Sequence, residues 1–317
     1  ELLGESLLSL YDTYQDERIP LKVIKTIIRD VFIGLNECHS KNIIHTDLKP
    51  ENILITKYPK HIDNIINWFN SLKPLETINL LIEKMLPDDY EDFNKNKKKN
   101  LKRKIRDKSY KIFSDIFLEK LDEYYTLEID NDNDDDDDGS DFEELYSLAD
   151  FDNIRVKIVD FGNGEIVDKL EQDVIGLRSY RCPENIIDGY YNTKADIWMV
   201  GCILYELLTN QDLFSVNKLK NSLDRDREHL YQMYNIFGKM PKDMVLNCKY
   251  AHDYFDNKGR ILKNKNIEPR NLSVILKGFD YNSQDIENII CFMKHLFCYD
   301  INDRYSANQC LNHSFLS

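Results

Sequence analysis

Residues 45 to 52 read His45-Thr46-Asp47-Leu48-Lys49-Pro50-Glu51-Asn52. Within one short stretch they place a carboxylate at Asp47, an ammonium at Lys49 and a carboxamide at Asn52, the groups and spacing that phosphoryl transfer needs. That chemistry depends on positioning and electrostatic stabilisation, so its groups must be held rigidly. A second carboxylate comes later, in Asp160-Phe161-Gly162, directly after the β-rich run Val156-Lys157-Ile158-Val159. Asp160 can supply an oxygen ligand for Mg²⁺ bound to nucleotide phosphates.

The elements around these residues are suited to mounting them. Pro20 fits a first helical position, and Ile24, Ile27, Ile28, Val31, Phe32 and Leu35 recur at three- and four-residue steps, which predicts a helix over 20–39 with one buried face. Ile43-Ile44 leads into the octapeptide and Ile53-Leu54-Ile55 leaves it as a short strand, so the loop sits between packed anchors. Asp196-Ile197-Trp198 opens an apolar helix through Leu208. Between 56 and 153 the character changes. Ile62, Ile65, Ile66 and Phe69 suggest a helix, as do Ile78, Leu81, Ile82 and Met85. Residues 95 to 108, KNKKKNLKRKIRDK, are basic, and 130 to 138, DNDNDDDDD, are acidic. Runs of like charge this dense favour a solvated, disordered segment.

The 317 residues are 42% hydrophobic, enough for a substantial core, and carry a net charge of −14. Residues 56 to 153 contain 15 Lys and Arg against 25 Asp and Glu, and so hold −10 of that charge. The low isoelectric point therefore says little about the remainder. A broad basic excess is absent, which argues against direct nucleic-acid binding. No run of about 18 apolar residues suggests a membrane span. Seven cysteines without a CxxC pair or metal-ligand spacing point to reduced thiols and an intracellular location, cytoplasm or nucleus.

The octapeptide resembles the catalytic loop of protein kinases, and Thr46, where most kinases carry Arg, resembles the SR-protein kinases and the related Clk-type kinases. The long spacer at 56–153, Asn163 after the Asp160 triplet, and Asp226-Arg227-Glu228-His229 before an apolar helix favour the SR-protein-kinase branch. The resemblance implies a mainly α fold with short β elements, the large C-terminal lobe of the protein-kinase fold. It divides the chain into 1–55, an insert at 56–153, and 154–317. It also implies an ATP- and Mg²⁺-dependent Ser/Thr kinase. Asp47 would accept the substrate proton, Lys49 would neutralise the transferred phosphate, and Asn52 and Asp160 would hold metal. Glu1 and Leu3 would meet the adenine edge at a hinge, and Leu54 would floor its pocket. His45 and Asp196 would support the loop. Glu184, in Arg178-Ser179-Tyr180-Arg181-Cys182-Pro183-Glu184, would pair with Arg304. Glu51, Asp226 and Glu228 would contact an Arg/Ser-rich protein substrate linked to mRNA processing, and the insert would bind a regulator.

Residues 163 to 178 contain no Ser, Thr or Tyr. With Thr46 in place of Arg, this implies activity without an activating phosphate on that segment. Leu177 departs from the family, standing where a Thr hydroxyl usually bonds the catalytic Asp and Lys. The first Met is Met85 and no Gly-rich loop or strand Lys precedes the octapeptide, so the chain is expected to continue upstream of Glu1 and these residues alone to be inactive. The alternative is a kinase-shaped scaffold that binds partners without turnover.

Overall fold

Two helices and two short strand pairs carry the octapeptide. In the computed structural model, which describes residues 3–13, 18–56, 60–131, 154–216, 221–262, 269–279 and 281–317, the chain forms two units, Glu1–Tyr58 with Tyr146–Ser317, and Pro59–Leu145. Side chains at 11–13, 60–65, 96 and 121–131 lie outside the description.

In the first unit, α1 (Leu7–Thr13) is followed by α2 (Leu21–Ser40), which starts after Pro20 and buries Val23, Ile24, Ile27, Ile28, Val31, Phe32 and Leu35 along one face. Strand β1 (Ile43–Ile44) enters the octapeptide, and β2 (Ile53–Ile55) leaves it through a 3₁₀ turn at Pro50–Asn52.

The second unit holds α3 (Lys60–Ser71), α4 (Pro74–Met85) and α5 (Lys95–Asn131). The basic run at 95–108, expected to be disordered, is therefore helical. Its charges conceal a stripe at four-residue steps, Ile105, Ser109 and Phe113, all buried, and Phe117 continues it. Phe69 meets Phe113 and Phe117 edge-on, and Trp68 meets Phe117 at 5.5 Å. Lys98 pairs with Glu91 at 2.6 Å, and the Lys97 ammonium lies over the Phe93 ring. Most of the acidic run, from 132 on, lies outside the described residues.

The first unit resumes with β3 (Val156–Ile158), antiparallel to β2 with Ile53 opposite Ile158, and β4 (Glu165–Ile166), antiparallel to β1 with Ile44 opposite Glu165. Helices α6 (Pro183–Asp188), α7 (Lys194–Thr209), α8 (Ser222–Phe237), α9 (Lys242–Asn247), α10 (Ala251–Tyr254), α11 (Leu272–Lys277), α12 (Ser283–Leu296) and α13 (Ala307–Leu311) complete it. Helix α7 is buried on nearly every side, and α2 packs against α7 and α13. Trp198 of α7 meets Phe297 edge-on at 4.9 Å and stacks parallel to Phe214. Gly201, one turn on, is where Phe297 lies closest; a Cβ there would stand 2.6 Å from its ring. No helix among the described residues is long and apolar enough to cross a membrane.

Asp226 to His229 lie inside α8, one turn after its start at Ser222, and not before a helix. His229 is fully buried 4.6 Å from the Phe214 ring, and neither ring nitrogen has a hydrogen-bond partner among the described residues. Burial, assisted by Arg181 and Arg178, pushes its pKa down from 6.5 to about 3. The unfolded chain takes up a proton that the folded chain refuses. Stability contributed by the neutral ring is therefore complete above about pH 6.5 and lost as pH falls toward about 3. Relative to His229→Leu, the wild-type chain is expected to lose up to ~1.4 kcal/mol per pH unit in that window, measured by urea unfolding between about pH 7 and pH 5. A gap between the two proteins that does not change with pH would exclude this.

Candidate active site

The octapeptide is fixed by its backbone before its side chains act. Asp196, at 0% exposure near the start of α7, accepts from the amide of His45 at 2.9 Å with one carboxylate oxygen and from the amide of Thr46 at 2.9 Å with the other. The His39 ring, at the end of α2, approaches the first oxygen at 2.8 Å. Two consecutive buried amides thus share one carboxylate, which holds Thr46 in a left-handed conformation at φ 71°. After this turn, the Asp47 amide donates to His45 Nδ1 at 3.3 Å. The Lys49 ammonium donates to Asp47 Oδ2 at 3.1 Å, and the Asn52 carboxamide nitrogen donates to the Asp47 carbonyl at 2.8 Å. Asp47, Lys49 and Asn52 are therefore one hydrogen-bonded group.

Strand pairing brings Asp160 to this group. The Val159 amide donates to the Asn52 carbonyl at 3.0 Å, continuing the β2–β3 ladder, and His45 Nε2 lies 2.9 Å from the Val159 carbonyl. His45 also meets the Phe161 ring at 4.7 Å, a supporting contact on both sides of Asp160. Asp160 is exposed in a left-handed turn at φ 64°, with Oδ1 accepting from the Gly162 amide at 3.3 Å. The Thr46 hydroxyl donates to the Asn163 carbonyl at 2.8 Å, tying the loop to the segment after Asp160.

That segment is held by its own chain. The Glu165 carboxylate is buried and accepts from the amides of Glu171 at 2.6 Å and Gln172 at 3.1 Å. Arg181 donates to the carbonyls of Ile175 and Gly176, each at 3.0 Å. Gly176 has φ 60°, and a Cβ there would stand 2.8 Å from the Thr46 carbonyl, so only glycine lets the segment pass this close to the loop. Arg304 meets both Glu184 oxygens, at 2.6 and 2.8 Å, and donates to the carbonyls of Cys298 and Lys194, the buried bidentate pair expected from sequence.

The other expected residues are more dispersed. Leu54 is half-buried in β2, where Ser6 bridges to it and Gly4 donates to the Ile55 carbonyl at 2.7 Å; Leu3 is half-buried at the start of this added edge. Glu1 lies outside the described residues. Glu51 is exposed beside the loop. Asp226 does not face solvent as a free acid, since Arg178 pairs with it across a largely buried contact. Glu228 is half-buried and accepts from Gln232 at 3.3 Å. Leu177 is 47% exposed, with an apolar side chain that offers no hydroxyl.

Several positioning residues escaped the sequence reading. Asp30, on the otherwise apolar face of α2, accepts from Arg155 Nε at 2.6 Å and the Val156 amide at 3.1 Å, anchoring β3. A lone acid at a buried helical step was its signal. Asn185 accepts from the Ile175 amide and donates to the Asp173 carbonyl, contacts between segments that local spacing does not encode.

A loop carrying Asp47, Lys49 and Asn52, joined through paired strands to Asp160 and backed by a buried Asp196, defines the large lobe of a phosphotransferase fold. The protein kinase domain model matches residues 2–63 and 147–316, and the chain belongs to that family. Among individual proteins it is similar to the serine/threonine-protein kinase SRPK of Physarum polycephalum, 25% identical across all of this chain and 66% of the relative. It is likewise similar to protein kinase dsk1 of Schizosaccharomyces pombe, 26% identical across all of this chain and 64% of the relative. SRSF protein kinase 3 of Sus scrofa is 29% identical over 52% of this chain and 29% of its own length. The chain spans about two thirds of the first two relatives' length.

Removing the Asp196 carboxylate strands two buried amides. Asp196→Ala is expected to destabilise the chain by roughly 2–5 kcal/mol, measured by denaturant unfolding, whereas His39→Ala is expected to cost about 1 kcal/mol. Equal, small effects would show that the loop backbone is satisfied by other groups.

Proposed function

We propose that the intact protein is an ATP-dependent serine/threonine protein kinase of the SR-protein-kinase type, acting inside the cell on Arg/Ser-rich protein substrates. The observation that carries this reading is the joining of Asp47, Lys49 and Asn52 to Asp160 through the Val159–Asn52 and His45–Val159 bonds.

The residues fit a hard divalent cation. Asn52 commits its nitrogen to the Asp47 carbonyl, leaving its oxygen as an acceptor, and Asp160 stands exposed with one oxygen lightly engaged. Asn52 and Asp160 would hold Mg²⁺, which when bound neutralises charge on the nucleotide phosphates. Asp47 accepts the proton of the substrate hydroxyl, and its hydrogen bond to Lys49 aims the ammonium where negative charge gathers. Leu3 and Leu54 would contact the adenine.

Thr46 supports activity without an activating phosphate, because its hydroxyl already ties the loop to Asn163. The Arg/Ser preference is supported by similarity to SRSF protein kinase 3 and by Glu51 and Glu228. Asp226 contributes less, since Arg178 occupies it.

One kinase assay on the full-length protein tests these points. Phosphatase-treated enzyme is expected to phosphorylate an Arg/Ser-rich peptide in preference to an acidic or Pro-flanked one. Asp47→Asn is expected to reduce turnover by about 10²–10⁴-fold without changing the thermal midpoint. An Asp47→Asn protein as active as wild type would remove Asp47 from the chemistry. Full-length protein inert toward every peptide would favour the scaffold reading, to which exposed Leu177 gives some support.

A further inference from the structure

A groove far along the chain from the loop is built for a ligand of different chemistry. The end of α8, the segment at 269–273 and α12 enclose a cavity of about 650 Å³. Its floor is apolar, formed by Phe237, Leu272, Met293 and Phe297. This volume is within the range of small-ligand and peptide-anchor sites.

Two further observations narrow the occupant. Lys239, Arg270 and Lys294 line the groove, and among the described residues no acid lines it and none of the three cations has an ion-pair partner. Three cations lining one groove stand out in a chain of net charge −14. Asn235 also lines the cavity; it is only 9% exposed, and its buried carboxamide oxygen has no hydrogen-bond partner among the described residues. A buried polar atom left unpaired is costly unless something else supplies its bond.

We propose that this groove docks an acidic peptide segment of a partner protein, with one large apolar side chain seated on the Phe237–Phe297 floor. A carboxamide presents a donor and an acceptor side by side, the complement of one backbone peptide unit, so Asn235 recognises the main chain next to the anchor. Lys239, Arg270 and Lys294 receive carboxylates flanking it. An Arg-rich substrate would be repelled by the same three cations, so this site serves a partner distinct from the substrate in the reading above. A fatty acid would satisfy the floor and one cation but returns no N–H to Asn235. A nucleic acid would satisfy the cations but leaves the floor without an apolar partner.

The test is fluorescence polarisation of the full-length protein with three labelled peptides: Leu or Phe flanked by Asp and Glu, the same anchor flanked by Lys, and an acidic peptide lacking the anchor. The first is expected to bind about tenfold more tightly than either control and to weaken as salt rises. Arg270→Glu and Lys294→Glu, both at exposed positions, are each expected to cost about tenfold in its affinity while leaving the Lys-flanked peptide no weaker. Asn235→Ala is expected to weaken the same peptide with an unchanged thermal midpoint. Equal binding of the anchorless acidic peptide would reduce the site to an unspecific basic surface and overturn the proposal. So would affinity unmoved by both charge reversals, or concentration-dependent self-association abolished by Lys294→Glu, which would assign the groove to a second copy. Each readout is binding, so none depends on whether the protein phosphorylates anything.

Discussion

The Asp196 carboxylate, fully buried and approached by the His39 ring at 2.8 Å, is the constraint from which the site geometry descends. A carboxylate removed from water needs several strong donors, and the loop amides of His45 and Thr46 are the donors within reach. Meeting that need bends the backbone at Thr46 into a conformation that a β-branched residue adopts only when its surroundings enforce it. The bend sets the direction of Asp47, whose carbonyl and carboxylate then fix Asn52 and Lys49. One desolvated charge thus converts the packing of α7 into the position of Lys49 and Asn52, which lie beyond its contact at Thr46.

A second buried charge closes the other side of the lobe. Arg304 binds Glu184 at both oxygens, donates to two backbone carbonyls, and lies 5.1 Å over the Trp198 ring. Such a pair adds little net stability compared with an apolar filling, because two ions have been dehydrated. Its geometry, however, admits only one arrangement of α6, α7 and the turn before α13. The same helix α7 therefore presents Asp196 near its start and Trp198 half a turn later, so that loop placement and aromatic packing are set by one rigid element.

Much of this could be read along the chain because the signals were local. The apolar steps of α2, the β-rich pairs flanking the octapeptide, and the spacing of Asp47, Lys49 and Asn52 lie within short windows, and the structure forms α2, β1 and β2 there; Asp160 stands far later in the chain and comes to the loop by the β2–β3 pairing. The Glu184–Arg304 pair spans the chain but was reached through family resemblance. What escaped was set by tertiary contact or by masking. In α5 the density of Lys and Arg hides a stripe at four-residue steps, Ile105, Ser109 and Phe113, because along the sequence the charges outnumber the apolar residues. Asp226 looked like a surface acid because its partner Arg178 is distant in sequence and near in space. Asp30 and Asn185 accept from backbone amides of remote segments, and an acceptor of that kind leaves no mark at the position that needs it.

The Thr46 hydroxyl joins the loop to Asn163 by a neutral bond, 2.8 Å long, between two groups that never ionise. A link of arginine to phosphate would weaken as counterions gather and would vanish whenever the phosphate was removed. A hydroxyl on a carbonyl responds to neither. The connection between loop and segment is therefore indifferent to ionic strength and to the balance of modifying enzymes around it, so any control over this lobe must enter through contacts elsewhere.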